Sequence, residues 1–151
     1  MKIRHALIPA TAAGAAAVLA LTLAAPAQAA SAVQFRYFRY DSPGSDRGGN
    51  SSVNAEYFTL KNVSSRSVSL KGYTVKDKTG YKYTFGTFTL KSGKSVRVHT
   101  GKGTNKSTDR YWGRSWYVWN NSGDKATLRS ASGSSLDTCS WSRTGSGYKN
   151  C

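Results

Sequence analysis

Beyond residue 30 this chain is patterned with a period of two, and no window of eleven or more residues carries the 3.6-residue period of a helix. In VQFRYFRY (33–40) Val33, Phe35 and Tyr37 share one side, after which Phe38 and Tyr40 shift the phase, as at a β-bulge. EYFTLKN (56–62) aligns Phe58 with Leu60, and VSLKGYTVKD (68–77) offers Val68, Leu70 and Val75. YKYTFGTFTL (81–90) alternates aromatic rings, SVRVHT (95–100) offers Val96 and Val98, and KATLRS and SLDTCSW continue the series. Lys78-Thr79-Gly80, Lys91-Ser92-Gly93 and Ala131-Ser132-Gly133 each put a glycine where a hairpin connection needs positive φ. Short β-branched and aromatic runs at this spacing predict seven or eight strands in an all-β sandwich or barrel.

The first 29 residues read differently. Lys2 and Arg4 precede an uncharged Ala/Leu run that ends in Ala27-Gln28-Ala29, the form of a secretory signal peptide cleaved after Ala29. The run is rich in alanine and glycine, broken by Pro9 and Pro26, and lacks a basic stop-transfer flank, which argues against a membrane anchor. The expected product is a released, extracellular domain of residues 30–151, long enough for one core without metals. Lys2 and Arg4 leave with the leader, so 20 basic residues face 7 acidic ones and the mature formal charge is near +13. An excess of that size bears on anionic partners rather than on fold. Cys139 and Cys151, both in a chain bound for an oxidising compartment, are expected to pair.

Several blocks carry a family resemblance: YDSPGSD (40–46), NAEYFTLKN (54–62), VSLKGYTVKD (68–77), YTF (83–85), LKSGKSVRVHTGKGT (90–104) and DRYWGRSWYVWNNSGDKATL (109–128). Together they resemble the lamin tail domain in its secreted bacterial form, over most of residues 33–139. The resemblance implies an immunoglobulin-like β-sandwich, and a binding role, because such domains often accompany nucleases or phosphoesterases as accessory modules. The chain departs from the family pattern at Tyr73, where tryptophan is usual, and at Ser115 and Tyr117, where glycine and proline are usual.

The stretch VHTGKGTNKSTDRYWGRSWYVWNNSGD (98–124) gathers three tryptophans with a histidine, two aspartates and four cations, as a catalytic loop would. Counting weakens that reading. His99 is the single histidine after leader removal, so two-histidine acid–base chemistry is excluded, and no His-x-x-x-His or paired-cysteine spacing supports zinc. No Gly-x-Ser-x-Gly elbow follows a strand. A small secreted nuclease is the one enzyme that survives, with Glu56 as base, His99 as acid and Arg97 or Arg114 clamping phosphate. Asp41, Asp46, Asn50, Asn54 and Glu56 offer calcium-type oxygens, but their spacing is not that of an EF-hand, Arg47 opposes a cation, and turn capping accounts for the same residues. No cofactor or metal is expected.

Trp112 and Trp119 are expected to anchor the stretch in the core, with Asn120 and Asn121 forming a turn and Asp124 capping the next strand. Lys102, Lys106, Arg110 and Arg114, with the rings of Trp116 and Tyr111, are the candidate binding residues, because cations beside exposed rings suit single-stranded nucleic acid or anionic sugar polymers. The expectation is therefore a non-catalytic, monomeric module that binds an anionic polymer, nucleic acid or cell-wall polymer, or a surface protein. The alternatives are the nuclease and a purely structural cell-surface protein.

Overall fold

Alternation forces each strand to present one apolar side, and two sheets bury those sides against each other. The computed structural model describes residues 30–142 and 145–151; the expected leader, residues 1–29, lies outside them. The order is β1 (Val33–Arg39), α1 (Asn50–Ala55), β2 (Tyr57–Asn62), β3 (Val68–Ser69), β4 (Thr74–Lys76), β5 (Lys82–Thr84), β6 (Thr89–Leu90), β7 (Ser95–His99), β8 (Asp109–Tyr111), β9 (Gly123–Arg129), β10 (Ser135–Ser142) and β11 (Tyr148–Asn150). One sheet runs β11-β1-β2-β7-β8, the other β10-β9-β4-β5, and β3 pairs with β6. All pairings are antiparallel except β7 with β8. The result is an immunoglobulin-like β-sandwich. Eleven strands are present among the described residues, more than the seven or eight expected, because two- and three-residue pieces such as β3, β6, β8 and β11 are too short to show an alternation of their own.

The core follows the alternation closely. Phe35, Phe38, Phe58, Leu60, Val75, Val96, Val98, Ala126 and Leu128 are almost wholly enclosed. The pairing of β1 with β2 slips between Phe35 and Tyr37, which is the expected bulge. Its effect corrects one expectation: Tyr37 does not join Val33 and Phe35 inside but turns outward, while Phe38 and Tyr40 take the inward phase. Gly80, Gly93 and Gly133 have φ of 117°, 70° and 90°, as their turns require. The Gly/Ser/Asn-rich connection between β1 and β2 holds the short helix α1, whose Val53 is buried.

Two lateral seams close the sandwich. At one, the sheets meet through β1, β10 and β11, where Asp137 Oδ2 accepts the Phe35 N–H freed at the bulge (2.8 Å) and Cys139 bonds Cys151. That disulfide ties the edge of the four-stranded sheet to the edge of the five-stranded one. At the other seam, β5 faces β8 and the chain leading out of it, and Tyr83 meets Trp112 at 5.8 Å. Among the described residues no helix is long and apolar enough to cross a membrane.

Because Cys139 and Cys151 are 12 residues apart, the chain-entropy estimate for their loop is about 3 kcal/mol. Replacing both by alanine is expected to lower the unfolding free energy by about that amount in urea melts. A change well below 1 kcal/mol would mean that Asp137 and core packing hold this seam unaided.

Candidate functional site

Glu56, just before β2, begins an inward row that continues along the strand with Phe58, Leu60 and Asn62, so a polar residue stands at each end. Glu56 has no exposed surface. Its Oε1 accepts the Trp119 N–H (2.8 Å) and its Oε2 the Val118 N–H (3.0 Å), so one carboxylate holds two donors of a segment that belongs to no strand. Burial pushes its pKa up to about 7, against the lowering effect of the Thr100 side chain and the two N–H groups. Trp119, fixed by this contact, lies at the centre of an aromatic cluster with Phe38, Phe58, Trp112 and Trp141. Trp112 itself is only half-buried.

His99 lies at the end of β7, paired with Tyr57 and therefore on the outer side of the sheet that Glu56 enters from within. Its Nδ1 faces the Asn54 carbonyl (2.7 Å) and its Nε2 faces Asp109 Oδ1 (3.0 Å), so both ring nitrogens are engaged. Partial burial works to raise the Asp109 pKa, but hydrogen bonds from Thr108 and His99 and the charges of His99 and Arg97 outweigh it and hold it below its ordinary value. The parts expected for a nuclease are thus separated: Glu56 is enclosed and His99 is tied on the opposite face.

The outer side of the five-stranded sheet also carries a row that the sequence did not reveal, Tyr148, Tyr37, Tyr57, His99 and Tyr111, one ring from each strand. Tyr37 stacks on both Tyr148 (5.8 Å, 18°) and Tyr57 (5.7 Å, 29°), and His99 stacks on Tyr111 (4.9 Å, 14°). The Arg97 guanidinium covers the Tyr57 ring at 4.5 Å. Only the one-residue slip at the bulge brings Tyr37 into this row, which is why alternation alone missed it.

The candidate binding residues separate. α1 grips the backbone after β7: Asn50 and Asn54 both donate to the Lys102 carbonyl (3.0 and 2.9 Å), and the Lys102 N–H returns to Asn50 Oδ1 (2.8 Å). Gly101 is needed there, since a Cβ would fall 2.6 Å from Asn54 Oδ1. Lys102 and Arg114 share a cleft with Asn50 and Ser115. The Arg114 guanidinium also sits over Tyr81 (4.6 Å), and that of Arg110 over Phe88 (4.1 Å), so both arginines cover the β5–β8 seam. Arg110 also partly offsets the rise that burial gives the Tyr83 pKa. Lys106 is exposed in the turn where its N–H meets the Asp109 carbonyl (2.7 Å). Trp116, 56% exposed, turns away to Gly48 and Tyr117.

Every one of the seven carboxylates has an internal task. Asp41 and Asp46 share the Asn121 amide, Glu56 holds Val118 and Trp119, and Asp77 caps the turn at Thr79 and Gly80. Asp109 meets His99, Asp124 accepts the N–H groups of Lys78, Asn120 and Lys125, and Asp137 accepts those of Phe35 and Thr138. Among the described residues the one cation–carboxylate contact is His99 with Asp109. Of the five residues considered for calcium, Asp41 and Asp46 meet Asn121, Asn50 and Asn54 hold the Lys102 backbone, and Glu56 lies in the core. Among the described residues no three His, Cys, Asp or Glu side chains converge as a metal-ligand set.

A family model, Lamin Tail Domain, matches residues 26–143. No curated protein matches the chain.

Removing the Glu56 carboxylate strands two buried N–H donors and leaves a void, so Glu56→Ala is expected to cost about 3 kcal/mol in chemical denaturation. A carboxyl whose pKa rises from 4.5 unfolded to about 7 folded binds more protons when folded, so its contribution declines as pH rises from 4.5 to 7. The stability of the native protein relative to Glu56→Gln should therefore shrink across that window, by about 3 kcal/mol, and stay level above it. A difference that grows with pH would contradict this placement of Glu56.

Proposed function

The chain belongs to the lamin tail domain family, and from that membership and its unpaired cations we propose that it is a secreted, non-catalytic, monomeric binding module for an anionic polymer. The observation that carries the reading is the division of charge. Six carboxylates are occupied with backbone or amide groups and Asp109 with His99 and Thr108, and the lysines and arginines are left without carboxylate partners among the described residues. A surface so composed attracts polyanions over long range, and binding releases their counterions. Lys102 and Lys106, both exposed, contribute to that surface, whereas Arg110 and Arg114 also serve the seam.

The absence of catalysis is supported by the engaged nitrogens of His99 and the enclosure of Glu56. Export is supported by the form of residues 1–29 and by the Cys139–Cys151 bond, which suits an oxidising compartment.

Titration of the purified, oxidised protein with labelled single-stranded DNA, RNA and an anionic wall polymer tests the reading, with ligand integrity followed on gels. Saturable binding is expected whose affinity falls steeply as salt rises, by about 10³-fold between 50 and 200 mM if roughly six phosphates are neutralised. The ligands should remain intact. No binding even at low salt would end the polyanion reading, and cleavage lost in Glu56→Ala would replace it with the nuclease.

A further inference from the structure

The four-stranded sheet has an outer face of unusual uniformity. Alternation turns Val75, Tyr83, Ala126, Leu128 and Cys139 inward. Outward stand Thr74 and Lys76 from β4, Lys82 and Thr84 from β5, Lys125, Thr127 and Arg129 from β9, and Thr138 and Ser140 from β10. Four cations and five hydroxyls thus share one pleated surface, with neither a carboxylate nor an aromatic ring among these outward positions.

The registers set their spacing. Lys76 lies directly opposite Lys82, and on its other side opposite Thr127, which separates Lys125 from Arg129 along β9. Facing residues have Cβ atoms about 5 Å apart, and diagonal ones about 7–8 Å. Like charges directly opposed in a sheet are destabilising, and among the described residues no carboxylate pairs with either lysine to relieve it. An anion does relieve it. The strands fix the backbone positions of these cations in advance, so a ligand has only their side chains to order.

Resting on the polyanion reading, we propose that this face is the docking surface for a linear phosphate polymer that is recognised through its phosphates and hydroxyls, as a polyol-phosphate or polyphosphate chain would be. Nucleic acid is the poorer fit. Single-strand recognition draws on aromatic rings to stack bases, and this face presents none. The ring row on the opposite sheet does not supply the lack, because its rings stack on each other and the Arg97 guanidinium covers Tyr57. Lys82 lies on edge strand β5, beside the seam where Arg114 covers Tyr81, so the face continues onto that basic rim.

The test uses the purified, oxidised protein with fluorescently labelled linear inorganic polyphosphate and, in parallel, single-stranded DNA of matched charge. Lys82→Glu and Lys61→Glu change net charge equally, but only the first lies on this face, since Lys61 is on β2 with the outward phase of the opposite sheet. Lys82→Glu is expected to weaken polyphosphate binding by about tenfold or more and to lower the salt slope by at least about 1, while raising Tm by a few degrees because Lys76 gains an opposite partner. Lys61→Glu should weaken binding by no more than about threefold, as a remote charge would. Equal losses in the two variants, or a larger loss in Lys61→Glu, would overturn the face while leaving polyanion binding intact. DNA bound in preference to polyphosphate would do the same. Failure of the native protein to bind either probe at low salt would remove the broader reading as well.

Discussion

One buried carboxylate organises the part of this molecule that its strands leave over. Between β8 and β9 the chain crosses the end of the sandwich: Trp112, Gly113 and Arg114 still donate to the His99, Gly101 and Thr100 carbonyls, but the N–H groups further along need acceptors that the sheets do not supply. Glu56, enclosed at the start of β2, takes two of them from Val118 and Trp119. Trp119 can then fill the centre of the aromatic cluster, and the residues before it, Trp112 and Arg114, are brought against Tyr83 and Tyr81 to close the seam.

The other carboxylates repeat the arrangement on a smaller scale. Asp137 serves the bulge in β1, Asp124 the entry to β9 and Asp77 a hairpin turn. A surface ion pair contributes little to stability, whereas a buried N–H without an acceptor is expensive, so using scarce acids as internal acceptors favours the fold. The consequence lies outside the fold. With the acids occupied, a strongly basic surface remains uncompensated, and strand alternation and pairing distribute it, placing Lys76, Lys82, Lys125 and Arg129 together on one sheet. The architecture and the basic sheet face thus come from one division of charge.

Much of this was legible in order of sequence distance. The alternating runs identified the inward residues, and three turn glycines have the positive φ that their positions implied. The phase shift at Phe38 announced the bulge, but not that Tyr37 would leave the core, because which side a shifted strand returns to depends on its neighbours. Cys139 and Cys151 pair as expected. What stayed hidden depends on contacts between distant segments. Asp137 meets Phe35 across 102 residues, and α1 clamps Lys102 from about 50 residues away. Arg110 and Arg114 read as free cations because Phe88 and Tyr81, the rings beneath them, belong to another sheet's side of the seam. The outward phase of Lys76 and Lys82 was readable beside Val75 and Tyr83, but their direct opposition required the register of β4 with β5.

Thermal unfolding of the purified, oxidised protein as a function of neutral salt tests the division of charge most directly. If the acids are internal acceptors and the cations repel one another unpaired, screening relieves repulsion, and Tm should rise as sodium chloride increases from about 10 to about 300 mM, where the Debye length contracts from roughly 30 Å to below 8 Å. A Tm that falls over that range would mean that attractive pairs between cations and carboxylates hold the surface together, and would contradict it.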